Sequence, residues 1–160
     1  MTIRAVILVF VLALTAIHSV ALAADQHVRW EDIIGIIQAN NVVAGVTGGG
    51  QPWSTQRGSA SVNLARGDVS FRVEGLVLAG GSAIGTPGSI NQVKGTLVCD
   101  ADGAIPVLVD TPLVPLSAQG DAHFSGSVGS LPTVCSPADM AFLIRIGADR
   151  WIANGAVRRP

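Results

Sequence analysis

Apolar and polar residues alternate one by one through much of this chain, whereas the helical spacing of apolar residues is nearly absent. In Val69-Ser70-Phe71-Arg72-Val73 the three apolar side chains can share one face, while Ser70 and Arg72 point the other way. A period of two is typical of half-buried β-strands. It predicts strands over 59–64, 69–77, 91–99, 104–109, 141–146 and 150–157, further strands over 32–38 and 121–128, and a weaker candidate over 41–46.

Short turn sequences separate the predicted strands. Arg66-Gly67-Asp68 and Asp100-Ala101-Asp102-Gly103 both combine glycine with aspartate, which favours tight turns. About eight short strands joined by hairpins predict an all-β fold, namely an antiparallel β-sandwich, with a small β-barrel as the alternative. Arg66-Gly67-Asp68 is also the integrin-binding tripeptide, but we interpret it as a turn, because glycine there supplies a positive φ.

Three prolines, Pro106, Pro112 and Pro115, fall in one stretch of the predicted sheet. Proline has no N–H group and cannot donate to a strand ladder. The stretch is therefore predicted to be an edge strand or a crossing between sheets.

Residues 1–23 have the form of a secretory signal. Arg4 precedes an apolar run, and Ala21-Leu22-Ala23 has the small-x-small pattern of a cleavage site. We predict cleavage before Ala24, with an uncleaved membrane anchor as the alternative. The mature chain, 24–160, is then one secreted or periplasmic domain, in which 24–30 can form a mobile tail.

Two cysteines remain after cleavage. Cys99 and Cys135 are 36 positions apart, and a pair of cysteines in an exported chain most often forms one disulfide. Such a bridge is worth about 3–4 kcal/mol in the chain-entropy model. An intermolecular bridge and two free thiols are the alternatives. The absence of a CxxC motif argues against a redox catalyst.

Composition excludes several classes of protein. The net charge of −1 and the low charged fraction of 13% argue against binding to nucleic acid or to an anionic membrane surface. The hydrophobic fraction of 49% argues against disorder. Arginine outnumbers lysine, and no Asn-x-Ser/Thr sequence occurs, which together favour a bacterial exported protein.

The sequence contains no recognisable catalytic constellation. His27 and His123 are the only histidines after residue 23, and neither belongs to a zinc-ligand pattern. Neither a Gly-x-Ser-x-Gly elbow nor a phosphate-binding glycine loop is present. Carboxylates could still form a hydrolase pair, the candidates being Glu31, Asp32, Glu74, Asp100, Asp102 and Asp110. No cofactor and no metal site are predicted.

The segment 47–57 is the best candidate for a binding loop. It contains Gly48, Gly49 and Gly50, then Trp53, and ends at Arg57. Loops on a rigid β scaffold often carry function, and an exposed indole could stack on a sugar or anchor a protein partner. The alternative is that Trp53 plugs the end of the fold.

Three stretches resemble small exported bacterial β-rich proteins, whose function is not known. They are 95–100 (Gly-Thr-Leu-Val-Cys-Asp), 107–116 and 151–155 (Trp-Ile-Ala-Asn-Gly), and the likeness extends over about 41–158. The resemblance implies an exported domain with one cysteine pair. It implies no catalytic residue.

These observations predict an exported, non-enzymatic β-sandwich that acts as a structural or binding module. A protein or a glycan surface is the expected kind of partner. The first alternative is a small β-barrel that carries an apolar ligand in its interior, and the second is a carboxylate-dependent hydrolase.

Overall fold

The computed structural model describes residues 26–147 and 149–159, and over these residues the chain forms strands and turns but no helix. The all-β class is thereby confirmed. Nothing in these two ranges forms a helix long and apolar enough to cross a bilayer. The predicted signal peptide, 1–23, lies outside the described residues. The strands are β1 (His27–Gly35), β2 (Val42–Val43), β3 (Val46–Thr47), β4 (Trp53–Ser54), β5 (Arg57–Asn63), β6 (Asp68–Glu74), β7 (Val77–Leu78), β8 (Gln92–Cys99), β9 (Val107–Asp110), β10 (Val114–Pro115), β11 (Ala122–Ser127), β12 (Met140–Arg145) and β13 (Trp151–Arg159).

Nine strands form one antiparallel sheet that curls into a half barrel. Their order is β10-β8-β12-β13-β1-β5-β6-β11, and β9 pairs with β8 on the same side as β10. Two small sheets, β2–β3 and β4–β7, complete the fold. One continuous curled sheet is closer to the barrel alternative than to two stacked sheets.

The two end strands of the sheet approach each other where β10 leads into β11. Across this turn the Ser117 N–H donates to the Asp121 carbonyl oxygen at 2.9 Å, and the Leu76 N–H donates to the Gly120 carbonyl oxygen at 2.8 Å. Beyond the turn, β11 pairs with β6 alone among the strands described. The half barrel is therefore closed at one end and open along the rest of its seam.

The proline-containing stretch lies at the edge of the sheet, as predicted. β9 and β10 both pair with β8, and the backbone between them leaves the ladder at 111–113. The Thr111 N–H donates to the Gly95 carbonyl oxygen at 2.8 Å and holds this irregular edge against β8. Pro115 occupies the outermost strand, where a missing N–H costs no ladder bond.

The start of β1 differs from the sequence-based prediction. Residues 27–30 belong to a central strand between β13 and β5 rather than to a mobile tail, and Val28 and Trp30 are buried. His27 lies opposite Asn63, with 2.9 Å between the His27 Nε2 and Asn63 Nδ2 atoms. The weaker candidate over 41–46 is a hairpin, β2–β3, instead of one strand.

Aromatic rings fill the interior of the curled sheet. The ring centroids of Trp30 and Phe142 are 5.5 Å apart, and those of Phe71 and Phe142 are 5.9 Å apart. Phe71 also stacks on Phe124 at 6.2 Å. A core packed in this way argues against an apolar ligand carried inside the barrel.

The two halves of the sheet differ in what covers their outer face. In β12, Phe142, Leu143 and Ile144 are all buried, so both faces of this strand are covered. The segment around 46–53 contacts the start of β13, where the Trp151 Nε1–H donates to the Val46 carbonyl oxygen at 3.0 Å and Gly48 forms a bridge to Trp151. In contrast, β5, β6 and β11 alternate between buried and solvent-facing residues. The free polar face of the molecule therefore lies on these three strands.

The predicted disulfide is confirmed. Cys99 and Cys135 are bonded, and their Cα atoms are 4.6 Å apart. Cys99 is the fully buried last residue of β8, which agrees with its expected inward position. The bridge ties the end of this strand to the connection between β11 and β12.

The Arg66-Gly67-Asp68 tripeptide forms the predicted turn between β5 and β6. Gly67 has a φ of 68°, and its N–H donates to the Asn63 carbonyl oxygen at 2.8 Å. The Arg66 Nε–H donates to the Asp68 carboxylate at 2.6 Å. The two charged side chains of the tripeptide are thus paired with each other.

Candidate functional site

Some residues of the predicted binding loop pack against the rest of the fold, and others are exposed to solvent. The Gly49 N–H donates to the Trp151 carbonyl oxygen at 2.8 Å, and Gly48 forms a bridge to the same residue. Trp53 begins the short strand β4 opposite Leu78 and is only 5% exposed. Its indole is therefore part of the core and offers no exposed stacking surface.

Of the five residues singled out in the predicted loop, Gly50 and Arg57 are exposed. Gly50 lies at the rim of a pocket of about 180 Å³ beside Gly49 and Trp53. Arg57 belongs to β5 and lies opposite Glu74 of β6, away from that pocket. The sequence thus grouped residues that the structure separates, and only Arg57 reaches the polar face.

A groove lies on this polar face, at the closed end of the seam. It has a volume of about 760 Å³. We call it the outer-face groove and define it by Arg72, Glu74, Ser117, Asp121 and His123. β6 supplies the first two residues, and β11 with the turn before it supplies the other three.

The strand register brings these side chains into rows across the sheet. Ser59 is opposite Arg72, and Arg72 is opposite His123. Side chains directly opposite each other in an antiparallel pair lie about 4.5–5.5 Å apart. One row therefore presents a hydroxyl, a guanidinium and an imidazole in succession over three strands.

A second row, one step along the sheet, consists of serines. Ser61 is opposite Ser70, and Ser70 is opposite Ser125. The Oγ atoms of Ser61 and Ser70 are 2.9 Å apart and share a hydrogen bond. The floor beside the groove is therefore lined with hydroxyl groups.

Glu74 is held between two arginines. Arg57 Nε donates to Glu74 Oε2, and Arg72 NH2 lies 2.7 Å from Glu74 Oε1. The hydrogen bond from Arg57, together with the charges of both arginines, outweighs desolvation and lowers the pKa of Glu74. Glu74 consequently stays ionised at neutral pH and is unsuited to donate a proton as a general acid.

The two arginines remain open to solvent. The Arg57 and Arg72 side chains are 76% and 72% exposed, whereas that of Glu74 is 17% exposed. A smaller groove of about 420 Å³, lined by Glu31, Ser59 and these charged residues, lies on the other side of Arg72. Arg72 therefore stands between two grooves and can donate hydrogen bonds into either.

Two of the remaining groove residues, Asp121 and Ser117, accept hydrogen bonds from backbone N–H groups. The Asp121 carboxylate accepts a hydrogen bond from the Gly75 N–H at 3.0 Å, and the Ser117 hydroxyl accepts one from the Asp121 N–H at 3.0 Å. His123 points outward, as predicted. Among the described residues no hydrogen bond connects it to a serine or an acid, so a nucleophile–base pair is not formed in this structure.

Glu31, Asp100 and Asp102, which were also candidates for a carboxylate pair, have structural roles. Glu31 pairs with Arg159 at 3.1 Å. The Asp100 carbonyl oxygen accepts the Gly103 N–H at 3.0 Å, and the Asp102 N–H donates to Asp139 at 3.0 Å, so both belong to a turn, as predicted. Within residues 26–147 and 149–159, no three side chains of the types His, Cys, Asp and Glu cluster as metal ligands would.

No family model, curated protein or solved structure matches this chain. The function therefore has to be inferred from the geometry of its own residues. Sequence reasoning missed Arg72, Ser117 and Asp121, because they meet only through the pairing of β6 with β11. The available signal was the alternation itself, which places Arg72 and His123 on polar faces.

Proposed function

We propose that the protein is an exported, non-enzymatic module that binds a neutral glycan in the outer-face groove. The observation that carries the proposal is the position of Arg72, an exposed guanidinium between two grooves, neither of which has an excess of positive charge. A glycan presents many hydroxyl groups, each of which can donate and accept a hydrogen bond. The groove has to supply both kinds of partner.

The two grooves that share Arg72 and Glu74 together supply both donors and acceptors. Arg57 and Arg72 provide only donors, whereas Glu74 and Asp121 provide only acceptors when they are ionised. Ser117 and His123 can each donate or accept a hydrogen bond. Such a mixture suits hydroxyl groups at successive positions along a chain of sugars.

The balance of charge favours a neutral ligand over an anionic one. Each groove carboxylate lies beside an arginine or an oriented N–H group, and the arginines in turn are partly neutralised by Glu74. A polyanion would gain little from such a surface. A protein partner would require an apolar anchor, and neither groove is lined by Trp, Phe or Leu.

Affinity for a single sugar should be weak, because no Trp or Phe ring lines either groove. Hydrogen bonds to sugar hydroxyls largely replace hydrogen bonds to water, so the net gain for each is small. A polysaccharide offers many equivalent sites and would raise the apparent affinity by rebinding. Polymers are therefore the right probes.

Affinity electrophoresis tests the proposal. The mature protein is run in native gels that contain mannan, soluble β-glucan or, for comparison, polygalacturonate. We expect retardation in at least one neutral gel and loss of that retardation in R72A. R66A is the matched control, because Arg66 is also an exposed, ion-paired arginine but lies at the β5–β6 turn. Equal retardation of R72A and R66A, or retardation by polygalacturonate alone, would refute the proposal.

The absence of catalysis is tested separately. After incubation with the same polysaccharides, no new reducing ends should appear above the level seen with R72A. Release of reducing ends by the wild-type protein alone would point to the hydrolase alternative instead. Retarded migration without hydrolysis supports the binding module.

Export is tested with the native leader. The apolar run before Ala24 and the Cys99–Cys135 disulfide support a secreted or periplasmic location. When the full chain is expressed in a bacterium, the intact mass of the protein outside the cytoplasm should correspond to residues 24–160. A cytoplasmic product that retains residues 1–23 would contradict this expectation.

A further inference from the structure

A second charged cluster lies at the far end of β12, away from the outer-face groove. Arg145 is 3% exposed and lines a pocket of about 580 Å³ together with Asp110, Asp149, Arg150 and Leu108. We call it the Arg145 pocket. A buried guanidinium is costly unless its donors and its charge are satisfied.

The donors of Arg145 are only partly satisfied. NH1 donates to Asp110 Oδ1 at 3.2 Å, and NH2 donates to Asp149 Oδ1 at 2.8 Å and to the Asp149 carbonyl oxygen at 3.2 Å. The buried Nε–H has no hydrogen-bond partner among residues 26–147 and 149–159. Buried polar groups without a partner are rare in folded proteins.

Asp110 cannot supply the missing partner, because other donors occupy it. Lys94 Nζ lies 2.6 Å from Asp110 Oδ2, and the Thr96 hydroxyl donates to Oδ1 at 2.6 Å. Arg145 shares that Oδ1 atom over the longer distance of 3.2 Å. This carboxylate is therefore shared among three donors.

The cluster also has an excess of positive charge. Lys94, Arg145 and Arg150 face only the two carboxylates of Asp110 and Asp149. Arg150 donates to neutral acceptors, the Gly48 carbonyl oxygen at 2.9 Å and the Asn40 side chain at 3.2 Å. The pocket lining itself holds two cations and two carboxylates, and Lys94 adds a third cation on the other oxygen of Asp110.

The edge of the guanidinium formed by Nε–H and NH2 is half occupied. A carboxylate can accept both of these N–H groups at once in a bidentate pair, which is the strongest arrangement for arginine. Asp149 engages NH2 alone, and its own side chain is 79% exposed. An outside carboxylate could therefore take its place and gain the Nε–H as well.

We propose that the Arg145 pocket binds a terminal carboxylate group, which displaces the Asp149 side chain and accepts both Nε–H and NH2 of Arg145. Leu108 lies at the rim and is 40% exposed, so it offers an apolar contact to the body of the ligand. A free aromatic or aliphatic acid and the C-terminus of a peptide share this chemistry. The site is independent of the outer-face groove.

The test is a titration of the mature protein followed by nuclear magnetic resonance at the Arg145 side-chain Nε–H. The probes are phenylacetate, its neutral analogue phenylacetamide, and an N-acetylated tripeptide ending in phenylalanine with a free or an amidated C-terminus. We expect the Nε–H resonance to move with carboxylate probes only. A response to phenylacetate but not to the free-acid peptide identifies a small acid as the ligand, and the reverse identifies a peptide terminus.

D149N provides the decisive comparison. Asparagine tolerates the positive φ of 70° at this position, so the turn is retained. Because an exposed ion pair contributes little, removal of the internal competitor should tighten binding about two- to fivefold. R66Q is the control and should bind as the wild type does. An Nε–H resonance that fails to move in both wild type and D149N, or that moves equally with phenylacetamide, overturns the proposal.

Discussion

Gly95 on β8 and Phe71 on β6 face each other across the interior of the half barrel. A methyl group at Gly95 would lie 2.8 Å from Cδ1 of Phe71 and 2.9 Å from Cζ of Phe142. Real side chains essentially never approach so closely, so the absence of a side chain at residue 95 allows the two rings to meet. The aromatic core is therefore built around a glycine.

G95A should destabilise the protein by about 1–3 kcal/mol, the usual cost of an overpacked core. Urea-induced unfolding measures the change. G50A is the matched control, since a methyl group at Gly50 meets nothing within 4 Å. In the F71L/G95A double variant the smaller side chain should recover part of the loss. Equal stability of G95A and G50A would contradict this view of the core.

Gly67 and Gly129 form a second matched pair. Both have a positive φ, 68° and 87° respectively, so alanine costs about 1–2 kcal/mol at either position. A methyl group at Gly67 would also lie 1.8 Å from the Gly129 carbonyl oxygen, whereas at Gly129 it meets nothing within 4 Å. G67A should therefore unfold at a lower urea concentration than G129A. The same urea midpoint for both variants would show that the backbone of the turn can move enough to accommodate the methyl group.

Removal of the disulfide should weaken the fold without changing its architecture. The bridge closes a loop between residues separated by 36 positions, and its loss is expected to cost about 3–4 kcal/mol. The C99A/C135A variant and the reduced wild-type protein should both unfold at a lower urea concentration than the oxidised protein. If reduction leaves the midpoint unchanged, the chain-entropy argument is wrong for this loop.

The lowered pKa of the Asp110 carboxyl predicts that the fold loses stability in acid. Burial alone would raise its pKa, but hydrogen bonds from Lys94 and Thr96 and the charges of Lys94 and Arg145 outweigh burial and lower the pKa below 3.8. Because the pKa is lower in the folded than in the unfolded state, the ionised form stabilises the fold. That contribution is complete above the pKa of Asp110 in the unfolded state, and it disappears as the pH falls through the lower pKa of the folded state.

The measurement is urea-induced unfolding between pH 7 and pH 2.5, compared with D110N. The advantage of the wild type over D110N should be constant near neutrality and should shrink below about pH 4. Asp149, the other carboxylate on Arg145, is exposed, so D149N should keep most of the acid dependence. A difference between wild type and D110N that does not vary with pH would exclude Asp110 as its source.

Local alternation accounts for most of the strands. β5, β6, β8, β11, β12 and β13 lie within three residues of the predicted bounds at each end. β1 begins earlier than predicted because Glu31 and Asp32 are both exposed. Two polar residues in succession break the period of two, although Val28 and Trp30 before them are buried.

The sites were harder to predict, because they depend on pairing between distant segments. Trp53 appeared exposed in a glycine-rich loop, but the β4–β7 ladder with Leu78 buries it. Arg72 and His123 are ordinary polar residues until β11 pairs with β6. The cluster around Arg145 likewise forms only when β8 pairs with β12 and β9, which brings Lys94 and Asp110 beside it.

The ladder between β1 and β13, with Arg29 opposite Arg159 and Gly35 opposite Ala153, has a consequence for the order of folding. The central strand pair of the sheet joins the two ends of the described chain, so it cannot form before β13 has been synthesised. Contacts between such distant segments make folding slow. The half barrel therefore lacks its central ladder until β13, the last described strand, is available to pair with β1.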